Sequence, residues 1–155
     1  MIRKEDLVGA WQLESWIIGY GDREEFSYPY GEEPNGLLIY SQDGWMSASI
    51  AAQVRAELPT DISYRKLPDA IKAEAFSSYF HYAGRYRVLD GDVIHYVTQS
   101  LNPNFPGTEQ LRHAELDGHT LVLSGKDEVG GAVRFHSLVW HRIDAAPDDV
   151  VIGAA

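Results

Sequence analysis

Apolar and polar residues alternate along most of this chain in short runs separated by turn residues, the pattern of strands with one buried face. The first run, Leu7 to Tyr20, is long. Asn35-Gly36 opens a second, Gly36 to Ser41, and Ser41-Gln42-Asp43-Gly44 reads as a hairpin turn into a third, Trp45 to Ile50. There the period changes. Pro68 and Asp69 start a predicted helix that runs through about Tyr82, helped by Ala70, Ala73, Ala75 and Phe76. Strand signals return at Gly84 to Asp90, and Asp90-Gly91-Asp92 turns tightly into Val93 to Ser100. After a Pro/Gly/Asn loop, Asn102 to Thr108, come Glu109 to Leu116, the turn Asp117-Gly118, Thr120 to Gly125, and Gly130-Gly131 leading into Val133 to Ile143.

Eight strands result, most joined by hairpins, with one helix between the third and fourth. Sequential hairpins make antiparallel neighbours, and eight of them can close and remove their exposed edges. The expected fold is all-β: an eight-stranded antiparallel up-and-down barrel with room for one small ligand. A β-sandwich is the competing closure. Residues 1–143 form the expected domain. Residues 144–155, rich in Ala, Asp and Gly, read as a flexible C-terminal tail.

Strand parity assigns an inner face. Leu7, Trp11, Leu13, Ser15 and Ile17 share a side, as do Leu38 with Tyr40, and Met46, Ala48 and Ile50. So do Tyr86 with Val88; Val93, His95 and Val97; Gln110, Arg112, Ala114 and Leu116; and His136, Leu138, Trp140 and Arg142. This inner set is apolar except for Tyr40, Tyr86, His95, Gln110, Arg112 and His136, with Tyr82 at the helix–strand junction. A buried charge without a partner costs several kcal/mol. No Asp or Glu falls clearly on the inner face, so Arg112 needs a ring face, water or a ligand, and a filled cavity is expected instead of a dry core. Tyr40, Met46, Tyr82, Tyr86, His95, Gln110, Arg112, His136 and Leu138 are the expected ligand-binding set.

Each of these residues also has a plain structural reading. His95 is either a core histidine bonded to a Tyr hydroxyl or a general acid/base. Arg112 with Gln110 either clamps a carboxylate or enolate oxygen or stacks on an aromatic ring. The tyrosines suit packing as well as binding. The helix and its preceding loop, Leu58 to Leu67, cap the barrel mouth or cover its side.

Composition removes other classes. The net charge of −10 repels phosphate backbones and anionic headgroups, so neither nucleic acid nor membrane is an expected partner. Without cysteine there are no disulfides, thiolate metal sites or Cys nucleophiles. The six histidines form no His-x-His or His-x-x-x-His pair, and no metal or other cofactor is expected. Nucleophile-elbow and phosphate-loop patterns are missing. No apolar stretch approaches 18 residues and the start lacks a secretory layout, which makes a cytoplasmic location the default. A homodimer stays open.

Gly9-Ala10-Trp11 is the Gly-x-Trp signature that lipocalins and their relatives carry at the start of their first strand. Further matches follow in order. They are Tyr-Pro-Tyr-Gly from Tyr28, Gly-Leu-Leu-Ile-Tyr from Gly36, Asp-Gly-Trp-Met-Ser from Asp43, Tyr-Ala-Gly-Arg-Tyr from Tyr82, Val-Ile-His from Val93, Gln-Leu-Arg from Gln110 and Leu-Val-Trp-His-Arg from Leu138. Over about residues 7 to 143 the chain resembles the lipocalin-like domain family. The resemblance implies a calycin-type barrel whose floor is Gly9, Trp11 and Arg142, with Arg142 across the Trp11 ring. It implies no single activity. The longer Gly-x-Trp-x-Gly-x-Gly pattern of haem-binding barrels is absent, which argues against haem.

The leading expectation is a barrel that binds a small apolar or aromatic ligand carrying a carbonyl or carboxylate. The alternative is a cofactor-free enzyme of isomerase, cyclase or dehydratase type acting on a natural-product intermediate, with His95, Arg112 and Tyr86 as catalytic candidates. A structural or interaction domain with a packed core is the third.

Overall fold

A computed structural model describes residues 1–144 of the 155, so the expected tail lies outside the described residues apart from Asp144. In chain order the elements are α1 (Lys4–Leu7), β1 (Gly9–Tyr20), β2 (Arg23–Ser27), β3 (Asn35–Tyr40), β4 (Trp45–Ala51), α2 (Asp69–Ser77), β5 (Tyr79–Leu89), β6 (Asp92–Ser100), β7 (Glu109–Asp117), β8 (Thr120–Val129) and β9 (Ala132–Arg142). From β3 to β9 each strand pairs with the next. β1 joins β3 on one side and β9 on the other, which closes an eight-stranded antiparallel barrel. The β1–β9 seam runs from Trp11 opposite Arg142 to Tyr20 opposite Arg134, so a sandwich with free edges is ruled out. The short β2 folds back on the far end of β1 and stays outside the barrel wall.

The barrel is shut at one end. The single turn of α1 places fully buried Leu7 under the strands, and the Trp11 indole donates to the Leu7 carbonyl at 2.9 Å. The Arg142 guanidinium lies 4.1 Å over the Trp11 ring. It also donates to the carbonyls of Val8 (2.8 Å) and Asp6 (2.5 Å). Gly9 makes room for it. A Cβ there would lie 2.8 Å from Arg142 Nη1, and its φ of +130° disfavours any other residue. Three backbone and ring partners therefore hold a part-buried cation without a carboxylate. Above this floor, Leu13, Leu38, Tyr40, Met46, Val93, Ala114 and Leu121 fill the lower barrel.

Three boundaries and one additional strand differ from the sequence expectation. The first strand starts at Gly9, since Leu7 belongs to α1. The helix expected to reach Tyr82 ends at Ser77. Ser78 leaves helical geometry, and the aromatic run Tyr79 to Tyr82 pairs with Ala51 to Ala48, which buries Tyr82 and suits aromatic residues better than a helix does. The strand expected to stop at Gly125 continues to Val129, held to β9 by register and by the facing pair Asp127–Arg134. β2 was not foreseen, because Arg23-Glu24-Glu25 shows no apolar alternation.

Parity also changes within β1. Glu14 is an extra residue between the pairs Leu13–Trp140 and Ser15–Val139, a β-bulge. Beyond it Trp16 faces Leu138 and Ile18 faces His136, so these two take the inner side expected for Ser15 and Ile17. α2 packs chiefly on β5, has no buried residue, and does not cap the barrel.

Replacing Arg142 with Met keeps the stem but removes the charge and both carbonyl contacts. It is expected to cost roughly 2–3 kcal/mol, read from the midpoint of urea unfolding at unchanged m. A loss below about 0.5 kcal/mol would show that the floor does not depend on this cation.

Candidate functional site

The upper barrel holds a cavity of about 540 Å³. Its walls are mainly apolar: Trp16 from β1, Leu38, Ala48 and Ile50 from β3 and β4, Phe80 from β5, and Leu123, Leu138 and Trp140 from β8 and β9. Phe105, in the loop before β7, stacks edge-on to Phe80 at 5.7 Å. Into this surround project Tyr82, His95, Gln110, Arg112 and, near the rim, His136 and Asp127.

His95 is fully buried in the core, 1% exposed, between two buried tyrosines. Both its nitrogens are engaged, Nε2 with the Tyr40 hydroxyl at 2.7 Å and Nδ1 with the Tyr82 hydroxyl at 2.6 Å. Burial, reinforced by the charge of Arg112, lowers its pKa from the ordinary 6.5 to about 3, so the ring is neutral at pH 7. Burial likewise raises Tyr40 and Tyr82, and the nearby Arg112 works against that rise in both. A neutral ring carries one proton, which fixes opposite roles for the two phenols. One donates to the imidazole and the other accepts from it. Tyr82 and His95 line the cavity, while Tyr40 stays below the wall.

Arg112 projects from β7 beside Gly125. Its Nη1 donates to the Leu111 carbonyl at 2.8 Å, and no carboxylate pairs with it among the described residues. Gln110 lies across the sheet from His95 and donates to Thr108 Oγ1 at 2.9 Å.

A second polar group stands at the rim. Arg134 grips Asp127 through two bonds, 2.9 and 2.7 Å. The Trp16 indole donates to His136 Nδ1 (3.1 Å), which leaves Nε2 to donate to Asp127 (3.0 Å). Burial lowers the His136 pKa against the pull of Asp127, in keeping with a neutral ring whose Nδ1 accepts. The Arg134 bonds in turn hold the Asp127 carboxyl below its usual range.

Of the expected ligand set, Tyr82, His95, Gln110, Arg112, His136 and Leu138 reach the cavity wall. Tyr40, Met46 and Tyr86 do not. Tyr40 and Met46 are buried beneath it, and the Tyr86 hydroxyl is committed to the Ser41 carbonyl at 2.7 Å. The expectation that no acid faces inward is corrected by Asp127 and Glu128, which the longer β8 brings to the rim, although the bonds of Asp127 go to Arg134 and His136 and not to Arg112. Sequence reasoning missed Trp16, Phe80 and Phe105 for separate reasons: a bulge, a misassigned helix end and a loop. Leu123, Gly125 and Asp127 could have been found by extending the alternation that starts at Leu121.

The fold and the cavity define a class: a closed calycin-type barrel, floored by a tryptophan–arginine pair and hollow at the other end. The sequence profile of the lipocalin-like domain matches residues 8–143, and the chain belongs to that family. No curated protein matches it. No helix among the described residues is long and apolar enough to cross a membrane.

The state of His95 can be measured. The folded form sheds a proton that the unfolded chain binds between pH of about 3 and 6.5, so this residue's contribution is complete above pH 6.5 and shrinks as pH falls. Its NMR ring signals should not titrate between about pH 8 and 5, and stability should fall by roughly 1.4 kcal/mol per pH unit below 6.5 on its account. The His95→Gln protein should lack that component of the slope. A ring midpoint near 6.5 in the folded protein would contradict the buried neutral state.

Proposed function

We propose that this barrel binds a small, largely apolar or aromatic molecule bearing a carbonyl or carboxylate, held in the cavity with its oxygen toward Arg112. One observation carries the reading: a cavity of drug-like size, walled by rings and aliphatic side chains, with a guanidinium on its wall that no carboxylate pairs with among the described residues. A cation so placed favours an anionic or strongly dipolar ligand and disfavours cations. Neutral His95, Tyr82 and Gln110 add polarity without charge. The apolar walls supply most of the affinity, at about 25 cal/mol per Å² of apolar surface removed from water.

Thermal unfolding against matched sets of aromatic acids, amides and amines tests this. At a hundredfold excess over Kd a ligand adds about 2.7 kcal/mol, and each kcal/mol raises Tm by roughly 2–4 °C for a domain of this size. Some acids are expected to raise Tm by about 5–10 °C on that basis while the amines have no effect. Equal response to acids and amines, or none to any of the sets, would overturn the reading.

One observation favours a second reading, a cofactor-free enzyme that moves a proton. The chain Tyr40–His95–Tyr82 ends on a hydroxyl at the cavity wall. With the His95 proton on Nδ1, Tyr82 accepts from the ring and its own O–H is free to protonate a ligand. With the proton on Nε2, Tyr82 donates to the ring and offers the cavity only a lone pair. In an isomerisation, cyclisation or dehydration Tyr82 would give its proton to the ligand and take the Nδ1 proton as Nε2 draws one from Tyr40. The path would run backwards when the ligand returns a proton, so that Tyr40 regains its own and no net charge is left, with Arg112 steadying the enolate oxygen. The test is deuterium exchange from solvent into the α-position of a bound ketone. The enzyme reading expects exchange that falls by about a hundredfold or more in Tyr82→Phe. Exchange unchanged in that variant would remove Tyr82 from the step.

A further inference from the structure

β7 and β8 part company halfway along. They pair only from Asp117–Thr120 to His113–Ser124. Beyond that point β7 keeps its bonds to β6, down to Glu109, and β8 keeps its bonds to β9, out to Val129. Residues 109–112 therefore face residues 125–129 with no ladder between them, a notch in the barrel wall at its open end. Arg112 fills that notch. Its Nη1 takes the Leu111 carbonyl that a β8 N–H would otherwise serve. It can lie there because the facing residue is glycine. A Cβ on Gly125 would stand 3.0 Å from Arg112 Nη1 and 3.1 Å from its Cδ.

The notch joins inside to outside. A groove on the outer surface, edged by Asp92, Glu109, Leu111, His113, Ser124 and Phe135, is also lined by Gln110, Arg112, Gly125, Lys126 and His136, and these last five line the inner cavity as well. Between the two spaces stand flexible side chains and a glycine, not a continuous ladder. The side chain that bars the way is a cation on a long stem, bonded to the Leu111 carbonyl and close to the Tyr82 hydroxyl, with Lys126 beside it.

We propose that the β7–β8 notch is the port through which ligand enters, and that Arg112 both closes it and receives the ligand's anionic group there. An entering acid exchanges with the Leu111 carbonyl for the guanidinium, so the bond that holds the port shut is replaced by the bond that holds the ligand. A neutral molecule of the same shape gains nothing at this step. The port therefore selects organic anions, carboxylates and sulfonates alike. The notch has this role only if the cavity takes ligand, as proposed above.

Two fluorescent probes with one ring system separate the possibilities: anionic 8-anilinonaphthalene-1-sulfonate and uncharged N-phenyl-1-naphthylamine, followed by stopped-flow mixing. Both are expected to bind the native protein. Arg112→Ala should weaken the anion by about ten- to a hundredfold and leave the neutral probe within about threefold, while the neutral probe enters and leaves several-fold faster because the closing side chain is gone. Gly125→Val should narrow the notch and slow association and dissociation of both probes by about tenfold, with a smaller change in Kd. Circular dichroism checks that this variant is folded, and if it is not, Arg112→Ala decides alone. Neutral-probe rates within twofold of native in every folded variant would overturn the port and leave the cavity reading standing. Equal weakening of both probes in Arg112→Ala would overturn the anion assignment. Failure of either probe to bind the native protein would sink the cavity reading together with the port.

Discussion

β1 pairs with β3 over its first third and with β9 along nearly its whole length, and the barrel exists only because both sets of bonds form on one strand. The β1–β9 seam joins residues more than a hundred positions apart, so it closes the longest loop in the domain. Its lower end is pinned by Arg142 on Trp11 and on the carbonyls before Gly9. Its upper end passes the Glu14 bulge, which turns Trp16 inward to bond His136. Without that seam the cavity would be the concave face of an open sheet, and the groups lining it would be wet. Closure is what makes the charge on Arg112 and the neutrality of His95 consequential.

Inside, the polar groups follow a simple division. Those that can satisfy one another do so and stay neutral, as Tyr40, His95 and Tyr82 show. The cation at the floor is absorbed by backbone carbonyls and a ring face. Arg134 at the rim is absorbed by Asp127. Arg112 is the exception, with one carbonyl for a guanidinium that carries five N–H donors. Arg112 is only half-buried and reaches the outer groove as well as the cavity, so water meets the donors that the protein leaves free and an entering anion could replace it there.

The lower barrel was legible in the sequence because its strands are regular and its alternation is unbroken. Leu38 with Tyr40, Met46 with Ala48, and Val93 with His95 keep the parity that their spacing implies, and Trp11 with Arg142 carries the family's pattern. The upper barrel was less legible because each departure there depends on distant chain. The Glu14 bulge has no local signature, since it follows from the register that β9 imposes. Phe80 and Tyr82 sit in a stretch that suits the end of a helix until β4 offers a partner. Asp127 reaches the rim only because β8 outruns its pairing with β7 and stays bonded to β9. Such mismatches gather at the open end, where the wall serves a cavity and not a packed core.

The four tryptophans report on the central claim directly, since they divide among three zones. Trp16 and Trp140 line the cavity, Trp11 is sealed in the floor, and Trp45 stands on the outer surface, 51% exposed. In a two-dimensional NMR titration with 1-naphthoate, the indole signals of Trp16 and Trp140 should shift together and saturate while that of Trp45 stays in place. A response confined to Trp45, or none at all four indoles, would contradict a ligand cavity in the upper barrel.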